Sequence, residues 1–103
     1  MGAHFRLPVV EASWKEIGAF CRDLTVYVAM PEATTRYTEV NWLDSWALIV
    51  GSEAQGISRQ ALGLARSRIS IPLLGATESL NVASAAAVIL FEAQRQRLAA
   101  AIP

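Results

Sequence analysis

The 103-residue chain contains one cysteine, Cys21, and one histidine, His4. A single cysteine rules out an intrachain disulfide, and one of each residue cannot build a Cys/His zinc cluster. A Cys–His nucleophile pair is formally open, but Cys21 reads as an inert, half-buried thiol near a helix end and His4 as a packing or surface residue. Excess charge of either sign is also missing. Nine Lys and Arg balance nine Asp and Glu, so there is no global basic field of the kind that marks a dedicated nucleic-acid-binding domain. Locally, Arg59, Arg66 and Arg68 have no acidic residue among them, and Arg95 and Arg97 close the last helix; small clusters of this kind usually form a solvated face. No apolar run approaches the roughly 20 residues a membrane-spanning helix needs. The longest, 82–91, is broken by Ser84 and rich in alanine, and reads as a buried helix. Residues 1–8 lack the basic segment and long apolar stretch of a secretory signal. The expectation is a cytoplasmic protein with no membrane partner.

What is present is apolar material. Hydrophobic residues make up 53% of the chain and charged residues 17%, a composition able to bury a core and remote from the disordered class. At this length one domain over 1–103 is expected. Short apolar runs alternate with helical patterns, which is the order of parallel strands joined by crossover helices, so the fold class is α/β. Ser13 and Glu16 form a capping box for a helix from 14 to about 22, with Ile17, Phe20 and Cys21 on one face. A strand follows at 24–29. The polar stretch 30–44 has no period of either kind and reads as a loop. Residues 46–50, Trp-Ala-Leu-Ile-Val, read as a strand buried on both faces, the centre of the sheet. Ser58 caps a short helix through Leu64, a strand at 68–71 stops at Pro72, and Asn81 or Ser79 caps a last helix over 81–97. The first half of that helix is apolar nearly all round and is expected to be buried on most sides.

Two loops leave strand ends, where ligands of open α/β sheets bind. The first, Gly51-Ser52-Glu53-Ala54-Gln55-Gly56, resembles a phosphate loop in its glycine spacing, but Ile57 stands where the lysine would be. Glu53 occupies the middle glycine of the dinucleotide fingerprint and would set a carboxylate near a pyrophosphate. A cationic, phosphate-free cofactor such as S-adenosylmethionine would tolerate it. On spacing alone, a simple strand-to-helix turn is the favoured reading. In the second loop segment, 69–82, Ile71 and Leu80 could flank a flat base, and Glu78, Ser79 and Asn81 offer polar contacts; Ser79 and Asn81 could equally be helix caps and nothing more.

Resemblance decides between these readings. Val-Gly-Ser-Glu-Ala-Gln-Gly-Ile at 50–57 resembles the second motif of the SpoU family of RNA methyltransferases. Ile-Ser-Ile-Pro-Leu-Leu-Gly-Ala-Thr-Glu-Ser-Leu-Asn-Val-Ala-Ser-Ala-Ala-Ala-Val-Ile-Leu-Phe-Glu-Ala at 69–93 resembles its third, and the opening Met-Gly-Ala-His-Phe-Arg-Leu-Pro-Val is similar to a mid-domain stretch of the same enzymes. The resemblance implies a SPOUT fold, a parallel sheet between helices whose C-terminal segment is threaded as a trefoil knot, an exception to the usual absence of knots. It implies S-adenosylmethionine as cofactor, with Ala29, Gly51, Gly56, Ile71 and Leu80 around it, and Glu53, Ser79 and Asn81 as the polar, candidate catalytic residues. It further implies methyl transfer to a ribose 2′-hydroxyl of rRNA or tRNA, and a homodimer. The family's first motif, with an asparagine and an arginine for the ribose and its phosphate, lies upstream of the matched opening stretch and has no counterpart here. Neither Arg6 nor Arg22 sits in a matching motif. The chain is therefore expected to be the C-terminal part of a SpoU-type domain, inactive alone. A non-catalytic module kept for dimerisation or RNA docking is the alternative.

Overall fold

The computed structural model describes residues 9–51, 56–71 and 82–101, with the side chains of residues 82 and 83 excluded. Helix α1, Trp14–Phe20, starts as its sequence dictates. The Ser13 backbone N–H donates to Glu16 Oε1 at 2.8 Å, and the Glu16 N–H donates to Ser13 Oγ at 3.2 Å, so two of the free donors of the first turn are satisfied reciprocally. The helix ends earlier than its pattern suggested, with Cys21 as the half-buried C-cap. Phe20 is 82% exposed rather than sharing a buried face with Ile17 and Cys21. In two turns of helix only the Ile17 side faces the rest of the molecule, where Gly18 lies against the Leu64 side chain of the next helix.

Four strands follow, β1 (Thr25–Ala29), β2 (Thr35–Arg36), β3 (Trp46–Ile49) and β4 (Ser67–Ser70), all paired in parallel in the order β2-β4-β1-β3. The parallel α/β expectation holds. Two details differ. β3 lies at an edge of the sheet among the described residues, and each of its four residues is only partly buried. The stretch 30–44 is not a plain loop either, since it contains β2 and a 3-10 turn at Tyr37–Glu39. Ile69 is the register partner of Ala29 on one side and of Thr35 on the other. Residues 30–34 must therefore arch across β4 to join two strands roughly 10 Å apart. Five extended residues span up to about 17 Å, so no crossover helix is needed.

Helix α2, Arg59–Leu64, is capped by Ser58 Oγ, which accepts from the Ala61 N–H at 3.2 Å. Helix α3, Val82–Ala101, is two-faced. Ile89 and Ala93 enter a core cluster with Val40, Trp42 and Ile69, while Leu90, Phe91 and Leu98 are 57%, 73% and 61% exposed. Burial on most sides is thus not found for residues 87–91; the helix covers one face of the sheet and turns its other apolar side outward. Trp42 is fully buried and locked by polar bonds: its backbone N–H donates to Gln96 Oε1 and its indole Nε1–H to the Tyr37 carbonyl, both at 2.8 Å. Gln96 Nε2 in turn donates to the Val40 carbonyl at 2.8 Å and to Glu92 Oε2 at 2.9 Å. Arg95 adds a bidentate pair to Glu92 at 2.8 and 2.9 Å.

Hydrogen bonds from Arg95, then from Gln96, hold the Glu92 carboxyl at about 2, below the ordinary 4.5. A depressed carboxylate pKa contributes stability that is full above 4.5 and is lost as the pH falls toward 2. Glu92→Gln is therefore expected to lower the melting temperature most near neutral pH, with the two melting curves converging between pH 4.5 and 2. Thermal unfolding followed by circular dichroism across that range is the check, and a constant gap would contradict the assignment.

Candidate cofactor pocket

Because β4, β1 and β3 are adjacent and parallel, their carboxyl ends lie side by side. Ile71 follows β4, Ala29 ends β1, and Val50 and Gly51 follow β3. The register Val28 with Ile49, and Ala29 with Ile69, keeps these ends level. Three of the five residues expected around the cofactor, Ala29, Gly51 and Ile71, are thereby brought to one edge of the sheet. Gly56, the fourth, opens the descent into α2 and is exposed. Leu80, and the polar candidates Glu53, Ser79 and Asn81, lie outside the described residues, as do the two possible caps of α3.

The two glycines have different physical reasons. A Cβ on Gly51 would stand 2.5 Å from the Gly56 carbonyl oxygen, 2.6 Å from its carbon and 2.7 Å from Ile57 Cδ1, so the loop can return to its starting point only if position 51 has no side chain. Gly56 has open space around its Cα but a φ of +68°, the left-handed region that costs an L-residue roughly 1–2 kcal/mol. Ile57, at the position of a phosphate-loop lysine, is half-buried and packs on Gly51. Its apolar side chain fills the place from which a cation would reach a phosphate. Ala29, Val50, Gly51 and Ile71 carry no charge, so this strand-end edge suits a flat, phosphate-free ligand. Ile71 also packs against the cluster of Val40, Trp42, Ile69, Ile89 and Ala93, and this fixes its position from behind. Among the described residues no group of three or more His, Cys, Asp or Glu could hold a metal.

Sequence reasoning missed Trp42, Glu92 and Gln96 as the groups that hold the strand ends in place. A tryptophan isolated in a polar stretch was the available signal for the first. The bonds of Gln96 span 54 and 56 residues, and no local pattern announces them.

Gly51→Ala is expected to distort the loop by direct backbone collision and to cost more cofactor affinity than Gly56→Ala, where only the φ preference is violated. Gly56→Asn, which tolerates the left-handed region, should lie closest to the unmodified chain. Titration of S-adenosylmethionine into the three variants tests this order, and equal losses would contradict it.

The model of the SpoU rRNA Methylase family matches residues 1–91. A tRNA (guanosine(18)-2'-O)-methyltransferase of Thermus thermophilus is 50% identical over 82 residues, which are 79% of this chain and 42% of that protein. A crystal structure of an RNA 2'-O ribose methyltransferase superposes with a TM-score of 0.76 at 36% identity, over 84% of this chain and 34% of the other. The SpoU methyltransferase AviRb from Streptomyces viridochromogenes, solved in complex with AdoMet, gives 0.77 at 26% identity over 84% of this chain and 37% of the other. This chain thus spans less than half the length of each of these proteins. On the family match over most of its residues, and on the shared parallel sheet, the chain belongs to the SpoU methylase family.

Proposed function

We infer that the chain is the C-terminal part of an S-adenosylmethionine-dependent RNA methyltransferase domain that modifies a ribose 2′-hydroxyl of tRNA or rRNA. The observation that carries this reading is the level alignment of Ala29, Gly51 and Ile71 at the carboxyl ends of three adjacent strands, in a family whose member AviRb was crystallised with AdoMet. Bound there, S-adenosylmethionine supplies an electrophilic methyl group on a sulfonium. In this reading Ala29, Gly51, Gly56, Ile71 and Leu80 would surround it, with Ile71 and Leu80 beside the base. Glu53, Ser79 and Asn81 supply polar contacts. Orienting donor and acceptor in this way can contribute about 7–11 kcal/mol to lowering the barrier. The ribose hydroxyl also needs a positioned base or charge, and no residue of this chain matches the family's first motif. In this reading the first motif belongs to the part of the relatives that lies beyond the 42% this chain covers. The arch of residues 30–34 across β4 supports a threaded chain of the trefoil type, and a cytoplasmic location fits RNA-modifying relatives.

A homodimer belongs to the same reading. Ala87, Phe91, Leu98 and Ala101 are exposed at spacings that keep them on one side of α3, with Leu90 beside them. An apolar stripe of this kind is more than a monomer ordinarily leaves in water. Phe91→Glu with Leu98→Glu should convert the dimer to a monomer in light scattering, and a monomeric unmodified chain at high concentration would remove this claim.

The activity test has two parts. The chain alone should bind S-adenosylmethionine weakly and transfer methyl groups to RNA at least on the order of 10²–10³ more slowly than a full-length member, and adding the upstream segment of a relative should raise binding and turnover together. Leu80→Arg, which places charge in an apolar slot, should abolish the gain. A folded dimer with no affinity for the cofactor even after that addition would favour a non-catalytic docking module.

A further inference from the structure

Away from the strand-end pocket, the arch over β4 leaves an open cleft of about 410 Å³ lined by Glu32, Ala33, Thr34, Thr35, Ser67 and Arg68. Its lining is unusual for a surface hollow. The lining residues carry three hydroxyls, one guanidinium and one carboxylate; alternation turns Thr35 and Ser67 to the sheet face opposite Arg36 and Arg68. Arg68 is exposed and forms no ion pair among the described residues. Arg36 stands beside the cleft. It is the register partner of Ser70, two residues beyond Arg68 on β4, so alternation of side chains puts Arg36 and Arg68 on the same face of the sheet. Arg36 is likewise exposed and without an ion pair among the described residues; the nearby Glu39 carboxylate instead accepts from the Arg36 backbone N–H at 2.8 Å.

We propose that this cleft holds one sugar-phosphate unit of the RNA backbone, with Arg68 and Arg36 on the phosphate and Glu32 accepting from a ribose 2′-hydroxyl. The proposal rests on the RNA-directed reading above and adds to it a subsite away from the reacting nucleotide. Guanidinium groups match the geometry of phosphate oxygens. Glu32 is what sets the ligand class. A carboxylate beside a bare phosphate is repulsive, whereas RNA carries, next to each phosphate, a hydroxyl that can donate to it and that DNA lacks. Arg68 lies on β4 three residues before Ile71, which follows that strand, roughly 10 Å away in extended backbone, so a strand of RNA whose reacting ribose sits at the cofactor edge can pass over the arch. A chain without net charge can hold RNA in this way, because the basic groups that matter are two unpaired arginines on one face.

The test is binding of a short labelled RNA, and of the DNA of the same sequence, to the full chain as a function of salt, for Arg36→Ala, Arg68→Ala, Arg68→Lys and Glu32→Gln. Arg36→Ala and Arg68→Ala should each weaken RNA and DNA alike by several-fold at low salt, and each should reduce the slope of log affinity against log salt by about 0.7–0.9. Arg68→Lys should restore the slope. Glu32→Gln should strengthen DNA binding while narrowing the preference for RNA. S-adenosylmethionine affinity should not change in any of the four variants, which separates loss of the subsite from loss of the fold. An unmodified chain that binds no RNA at low salt overturns the RNA-directed reading and this subsite with it. RNA binding whose strength and salt slope survive both arginine substitutions overturns the subsite alone, as does an RNA preference unchanged by Glu32→Gln.

Discussion

The packing of this small molecule depends on burying Trp42 without leaving its polar atoms unpaired. The indole lies 4.9 Å from the Tyr27 ring of β1 and 4.6 Å from the Trp46 ring of β3, tilted against the first and edge-on to the second. Such contacts are worth about 0.5–1.5 kcal/mol beyond the area they bury. An unpaired buried donor or acceptor would cost about 1–3 kcal/mol, enough to reverse that gain. Gln96 prevents this by using one side-chain amide as both acceptor and donor to the backbone of residues 42 and 40. Glu92 then fixes which way the amide points, because its carboxylate can only accept and so holds the nitrogen side of Gln96. Arg95 keeps that carboxylate charged. A helix is in this way fastened to an irregular segment that has almost no regular backbone pairing of its own.

The consequence reaches the pocket through β4. Ile69 is fully buried in the Trp42 cluster, and Ile71, two residues on, packs against the same cluster at the strand end. Because side chains alternate along a strand, a slip of β4 by one residue would expose Ile69 and turn Ile71 away from the core. The register of β4 is therefore set by core packing, and the position of the pocket wall follows from it. The arch of residues 30–34 reinforces the same register, since Met30 N–H donates to the Ile69 carbonyl at 2.8 Å and Ser70 Oγ donates to the Thr35 carbonyl at 3.4 Å.

What could be read from the sequence was whatever is local. Ser13 with Glu16, and Ser58 alone, mark their helices because a cap oxygen and the N–H that donates to it are three residues apart. The runs at 24–29 and 46–50 mark their strands because apolar residues cluster there, the third at 68–71 is marked by Ile69 and Ile71 alternating with polar neighbours ahead of Pro72, and strand ends followed by glycine or proline pointed to the pocket edge. The segment 30–44 was illegible for the opposite reason. Its two-residue strand pairs with a partner more than thirty positions later, and Trp42 gains its place from a glutamine 54 residues away. The central position expected for β3 is not found among the described residues, on similar grounds. A continuous apolar run shows that both faces can be covered, but it carries no information about which neighbour stands on either side.

Helix α3 shows how one composition serves two demands. A helix that is apolar nearly all round could be sunk into a core on every side, yet this domain has one sheet and can cover only one face of the helix. Ile89 and Ala93 meet that sheet, and the polar atoms of Glu92 and Gln96 are placed on the same side, where they are matched one by one. Phe91 and Leu98 take the opposite side. Moving the apolar excess inward would require displacing the Glu92–Gln96 bonds that hold Trp42, at the cost of unpaired buried polar groups. The outward stripe is therefore the arrangement that keeps the Trp42, Gln96 and Glu92 bonds made, with Trp46 Nε1 the one buried side-chain donor left without a partner among the described residues, and the surface available for association is a by-product of the same bonds that set the pocket wall.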